Sequence, residues 1–135
     1  MRAHQPLYIE SMTTLAQASL SSEERALLTR FTAALYSEEL QPEAVWLFGS
    51  RARAEQPAKD SDVDVLVLLE DASWASKMKV HAALQSAARE LDLEALTFSF
   101  SVHVNTTAWL AQRREIHSFF VAEVDRDKIV LSGQA

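Results

Sequence analysis

The sequence predicts an α/β (α+β) domain, a small β-sheet flanked by helices, and three observations predict it. Two stretches repeat apolar residues at helical spacing, each with a serine ahead of it in position to cap. Two short runs of strand length, Ala44–Phe48 and residues 62–69, stand between those stretches and are dominated by Val, Leu and aromatic side chains. A third run, residues 96–104, alternates apolar and polar side chains.

In order, Ser21 and Glu24 stand at capping-box spacing and open a helix on which Leu27, Leu28, Phe31, Ala34 and Leu35 share a face. It is expected to end near Leu40, just ahead of Pro42. Ala44–Phe48 follows as a strand closed by Gly49-Ser50, and residues 51–61 form a polar connection containing Pro57. From Asp62 the chain alternates, Asp62 and Asp64 against Val63 and Val65, and then turns wholly apolar. That is the pattern of a strand deep in a sheet whose first residues emerge at an edge. Ser73 caps a second helix with a stripe of Val80, Leu84, Ala87 and Leu91. In residues 96–104, Phe98, Phe100, Val102 and Val104 face one way, and Ser99, Ser101 and His103 the other. Helical stretches over 107–123 and a small last strand at 128–131 complete the order. Residues 1–10 are unpatterned, and 1–20 is expected to be a loose N-terminal segment of a single domain spanning 1–135. No repeat, low-complexity tract or linker divides it.

Composition narrows the function. The chain has 135 residues, 48% hydrophobic and 24% charged, enough for one modest core of an ordinary globular domain. A net charge of −6 argues against a broad, sequence-independent hold on nucleic acid, because no basic surplus displaces counterions. There is no cysteine, which excludes disulfides and thiolate metal sites and fits a cytoplasmic protein. The first six residues, Met1 to Pro6, lack the apolar run of a signal peptide, and no stretch is apolar enough to span a bilayer.

The chemistry concentrates between residues 49 and 64. Only two glycines occur, Gly49 and Gly133, and Gly49 stands where a strand ends and Ser50-Arg51-Ala52-Arg53 begins. A glycine there lets backbone approach a ligand, the amides of the following turn suit phosphate oxygens, and Ser50 adds a hydroxyl. Taken alone, Gly49-Ser50 reads more readily as a plain strand-to-helix turn. Asp62 and Asp64, two apart on a strand, point to one face, repel each other, and call for a divalent cation. Magnesium suits them, since it takes few carboxylates and fills its shell with waters and substrate phosphates. A merely solvated strand start explains poorly why the acids lead straight into Val65-Leu66-Val67-Leu68-Leu69. Other candidates are plainer: His4, His81, His103 and His117 have no metal-ligand spacing, and Trp46, Trp74 and Trp109 read as packing residues. Ser50 lacks the flanking glycines of a hydrolase nucleophile.

Gly49-Ser50-Arg51-Ala52-Arg53 followed by Ser61-Asp62-Val63-Asp64-Val65-Leu66-Val67 resembles the signature of the DNA polymerase β superfamily of nucleotidyltransferases. The chain is similar to that superfamily's minimal group (MNT), strongly over 45–69 and loosely over 109–131. The resemblance implies the polymerase β-like fold, a small mixed β-sheet flanked by helices. It implies that Gly49, Ser50, Arg53 and Ser61 bind ATP or another nucleoside triphosphate, with Gly49 and Ser50 on the β- and γ-phosphates. It implies that Asp62 and Asp64 are catalytic and bind Mg2+, and that a nucleoside monophosphate, AMP in this reading, passes to a protein acceptor. For Arg53 a solvated surface arginine is the open alternative.

Three departures accompany the resemblance. Ala54 stands at the usual place of a second glycine, the loop is one residue longer, and the next strand carries no third carboxylate. That strand offers Ser99, Ser101 and His103; His103 is either a partial substitute that accepts a proton or a plain strand histidine. Relatives of this kind are often antitoxins of HEPN/MNT toxin–antitoxin pairs, so the resemblance implies a small helical HEPN-type partner. The alternative is a catalytically impaired binding module that neutralises a partner by complex formation; a nucleotide sensor is a third reading. So short a chain is expected to take its acceptor surface from another polypeptide or a second copy of itself, its acidity complementing a basic partner. Arg51, Arg53 and Lys59 are expected to face the nucleotide.

Overall fold

In the computed structural model of the chain, residues 15–53 and 61–135 are described. They form α1 (Ser22–Ser37), β1 (Ala44–Phe48), β2 (Val63–Leu69), α2 (Trp74–Leu91), β3 (Phe100–Thr106), α3 (Thr107–Glu115), α4 (Phe119–Asp127) and β4 (Ile129–Gly133). Short 3-10 turns at Leu15–Gln17 and Glu94–Ser99 precede α1 and β3. The four strands make one mixed sheet in the order β3-β2-β1-β4. β2 and β3 are parallel, joined by α2 as a crossover, while β1 is antiparallel to both β2 and β4.

Both faces of this sheet are covered, which is why β1 and β2 read as continuous apolar runs. On one face, Leu27, Leu28 and Phe31 of α1 and Val80, Ala83 and Leu84 of α2 pack against Val45, Leu47, Val63, Val65 and Val67. On the other, Leu110 of α3 and Val121 and Val124 of α4 cover Trp46, Phe48, Leu66 and Leu68. Each fully buried Val, Leu or Phe among them stabilises the fold by about 1.5–3 kcal/mol. The result is helix, sheet, helix. No helix among the described residues is long and apolar enough to cross a membrane.

Local signals hold at the helix starts. The Ser21 hydroxyl accepts from the Glu24 amide at 3.0 Å, and the Glu24 carboxylate takes the Ser21 amide at 2.8 Å, a complete capping box. Ser73 caps α2 by accepting from the Ser76 amide.

Several expectations need correction. The third strand begins at Phe100, not at residue 96. Its parallel ladder opens with Val63 opposite Phe100, and residues 94–99 satisfy their polar groups locally instead, with the Thr97 hydroxyl donating to the Glu94 carbonyl at 2.7 Å. Phe98, expected on the buried face, is 90% exposed. Leu91 is exposed at the end of α2, and Ala83 and Ala88 complete the stripe in its place. α1 stops at Ser37, three residues before Leu40, and α4 runs on to Asp127. Of the segment expected to be loose, residues 15–20 are held: Ala18 is buried, and the Ser19 amide donates to the Arg51 carbonyl at 2.7 Å. Residues 1–14, and Ala54 and Lys59 in the loop, lie outside the described residues.

Candidate functional site

The acids and the glycine meet at the sheet end where β1 leaves and β2 and β3 enter. Phe48 pairs with Asp64, so Gly49 continues β1 past that carboxylate. Gly49 has φ +82°, a left-handed conformation that costs an L-residue about 1–2 kcal/mol. A β-carbon on it would lie 2.5 Å from Asp64 Oδ2, so its lack of a side chain is required twice. The Gly49 carbonyl accepts from the amides of Ala52 at 3.0 Å and Arg53 at 3.3 Å, closing a tight turn in which Ser50 is half-buried.

Asp62 is exposed ahead of β2, and Asp64 is half-buried on it. Burial and the neighbouring Asp62 charge push the Asp64 carboxyl up to about 6, with Arg51 opposing and Glu123 of α4 adding to the rise. A proton would therefore compete with any cation for Asp64 below about pH 6. Among the described residues no group of three or more His, Cys, Asp or Glu side chains is arranged to hold a metal ion. Two carboxylates alone suit a hard divalent cation whose remaining ligands are water and other oxygens.

The adjacent strand places no acid here. Ser101 is the register partner of Asp64, so Phe48, Asp64 and Ser101 form one row across three strands. His103 lies two residues on, with Nε2 3.3 Å from Ser101 Oγ. Its ring packs against Phe48 at 5.6 Å and Phe120 at 5.5 Å, which also touch each other, and burial lowers its pKa, which favours the neutral imidazole. Ser99, expected on this face, belongs to the 3-10 turn before the strand.

Arg51 and Arg53 both find partners within the fold. Arg51 donates to Glu24 at 2.7 Å, to the Ser19 carbonyl at 3.1 Å, and to Ser61 through its hydroxyl at 3.0 Å and carbonyl at 3.1 Å. It joins α1 to both ends of the β1–β2 loop, so the arginine expected to face the nucleotide is tied to Glu24, Ser19 and Ser61. Burial would raise the Glu24 carboxyl, but hydrogen bonds from Arg51 and Ser21 outweigh it and hold the group below its ordinary value. Arg53 bonds Asp127 at 2.7 Å, tying the turn to the end of α4; Asp127 is also held by Arg126 at 2.8 Å. Sequence reasoning missed Glu24, Asp127 and Glu123 as members of this neighbourhood. Glu24 carried a signal only as a capping residue. Glu123 follows Phe120 by one helical turn, but nothing local says which strand end that turn overlies.

The structure thus brings Gly49, Ser50, Arg53, Ser61, Asp62 and Asp64 to one end of the sheet and gives Ser61 and Arg53 partners within the fold. An uncharged groove of about 260 Å³, bordered by Leu28, Thr32, Tyr36 and Leu131, lies on the α1 side of the sheet, away from the carboxylates. No curated protein matches the chain. The sequence does match the family described as Polymerase beta, Nucleotidyltransferase over residues 32–111. That span is more than half of the chain and contains the Gly49 turn, both carboxylates and the three adjoining strands. With the mixed sheet and the acids at its strand ends, the match shows that this chain belongs to the polymerase β family of nucleotidyltransferases.

Proposed function

We propose that the protein transfers AMP from ATP, with magnesium, to a protein acceptor, as the antitoxin of a HEPN/MNT pair. Family membership supports nucleotidyl transfer in general. The observation that carries the finer reading is the Asp62–Asp64 pair set against the side-chain-free Gly49 turn, within the matched span. In this reading Gly49 and Ser50 receive the β- and γ-phosphates along the open turn. Arg53 adds positive charge while shared with Asp127, and Ser61 positions the loop through Arg51. Asp62 and Asp64 hold the cation. Magnesium, when bound, neutralises the carboxylates and the phosphate oxygens together and stabilises charge at the reacting phosphorus. The acceptor is a basic helical protein drawn by the −6 net charge. The absence of cysteine agrees with a cytoplasmic setting.

Titration calorimetry of ATP, with magnesium and with chelator, tests the site. Tighter binding with magnesium is expected, and Asp62→Asn/Asp64→Asn should abolish that dependence while leaving the fold intact. Equal binding in both conditions would remove the metal from this reading. Co-expression with a helical neighbour and a radiolabel transfer assay tests the acceptor. A second reading, a binding module acting by complex formation, is favoured by the lack of an acid on β3; a stable complex with no label transferred would select it.

A further inference from the structure

Three hydroxyls stand near the carboxylate pair: Ser50, Ser61 and Ser101. Ser61 Oγ accepts from the Arg51 guanidinium at 3.0 Å, which fixes it and withdraws electron density. Ser101 is different. It sits beside Asp64 in register, is only partly buried, and has a histidine nitrogen 3.3 Å from its oxygen. A hydroxyl within hydrogen-bond reach of a neutral imidazole is the arrangement that activates a serine, and such contacts are commonly a little long before substrate binds. The imidazole is oriented by Phe48 and Phe120, which pack on it from β1 and α4. Burial alone accounts for its lowered pKa, although Asp64 on β2 and Glu123 on α4 are in the neighbourhood.

We propose that Ser101 is itself a nucleotide acceptor, with His103 as its base, so that the chain modifies its own β3 strand. Ser101 Oγ attacks the α-phosphorus of a nucleoside triphosphate, forming the Oγ–P bond. The bond from that phosphorus to the bridging oxygen breaks, and pyrophosphate leaves with the electron pair. The Ser101 proton passes to His103 Nε2. The product is an O-nucleotidyl serine beside Asp64, which would block the site against a second triphosphate. This inference rests on the triphosphate binding proposed above.

The test uses the full chain with magnesium and each of ATP, GTP, CTP and UTP, followed by intact-mass and peptide mass spectrometry. A single nucleoside monophosphate adduct is expected on the peptide containing Ser101 with at least one of the four. Ser101→Ala should carry none. His103→Gln, which keeps a polar side chain but no base, should form it about 10²–10⁴-fold more slowly, with thermal melting showing that it remains folded. Calorimetric binding of a magnesium–triphosphate without any adduct would overturn self-modification and leave the proposed site standing. Absence of binding would overturn both. An adduct elsewhere in the chain, or one as fast in His103→Gln as in wild type, would reject the Ser101–His103 pair.

Discussion

A β-carbon placed on Gly49 would come within 2.5 Å of Asp64 Oδ2, so the turn and the carboxylate occupy space that only glycine leaves open. The two residues are 15 positions apart and meet because Phe48 pairs with Asp64 across the β1–β2 ladder. The same proximity brings the backbone of the turn against Asp64, whose half-burial raises its affinity for a proton.

Gly49→Ala should therefore destabilise the protein by more than the left-handed backbone alone costs, about 1–2 kcal/mol. In an Asp64→Ala background the nearest remaining contact is the residue-64 β-carbon at 3.6 Å, an ordinary distance, so the penalty should shrink toward the backbone value. Urea denaturation of the four proteins of this cycle measures the coupling. Strict additivity would mean that the carboxylate readily moves aside.

Asp64 also sets a pH dependence. Its folded-state value of about 6 lies above the ordinary 3.8, so the metal-free fold favours the protonated form. Its contribution is fully present below pH 4 and is lost as pH rises through 6. Asp64→Asn should then melt at a higher temperature than wild type in chelator at pH 8, and at nearly the same temperature at pH 4. With solvent screening of this half-exposed group the gain is on the order of 1–2 kcal/mol. A shift equal at both pH values would point to packing and not to charge.

Arg51 should prove structural. It and Glu24 are each only 11% exposed at their side chains, and removing the arginine leaves a buried carboxylate without its counter-charge. Arg51→Ala is expected to cost about 2–4 kcal/mol, and adding Glu24→Gln should recover part of it. Because Glu24 is held below its ordinary value, wild type should lose this stabilisation as pH falls through that lowered value, and Arg51→Ala should lack that loss. Chemical denaturation at pH 7 and pH 4 decides; a loss below about 0.5 kcal/mol would show the network to be incidental.

Ser101→Asp should create a third carboxylate beside the pair, since neighbouring strands lie about 4.8 Å apart and residue 101 is in register with Asp64. Binding of Mn2+, followed by electron paramagnetic resonance, should tighten in this variant. Ser99→Asp should bind as wild type does, because residue 99 precedes the strand. Equal tightening by both would mean that the added charge acts at long range.

Much of this was legible in the residues themselves, because it depends on near neighbours. The capping box at Ser21–Glu24, the apolar runs of β1 and β2, and the same-face pairing of Asp62 and Asp64 all follow from spacings of two to four residues. The Gly-Ser and Ser-Asp-x-Asp signature likewise named the family from contiguous sequence. The start of β3 was not legible, since alternation across residues 96–104 says nothing about where β2 ends and stops offering hydrogen bonds. Nor were the fates of the arginines. Arg51 finds Glu24 across 27 positions and Arg53 finds Asp127 across 74, and no local pattern distinguishes those guanidiniums from ones turned toward a ligand. The sequence by itself determined which residues could carry the chemistry. The tertiary structure decided which of them meet at one sheet end and which are paired within the fold, because ion pairing and register depend on distances that only the folded chain creates.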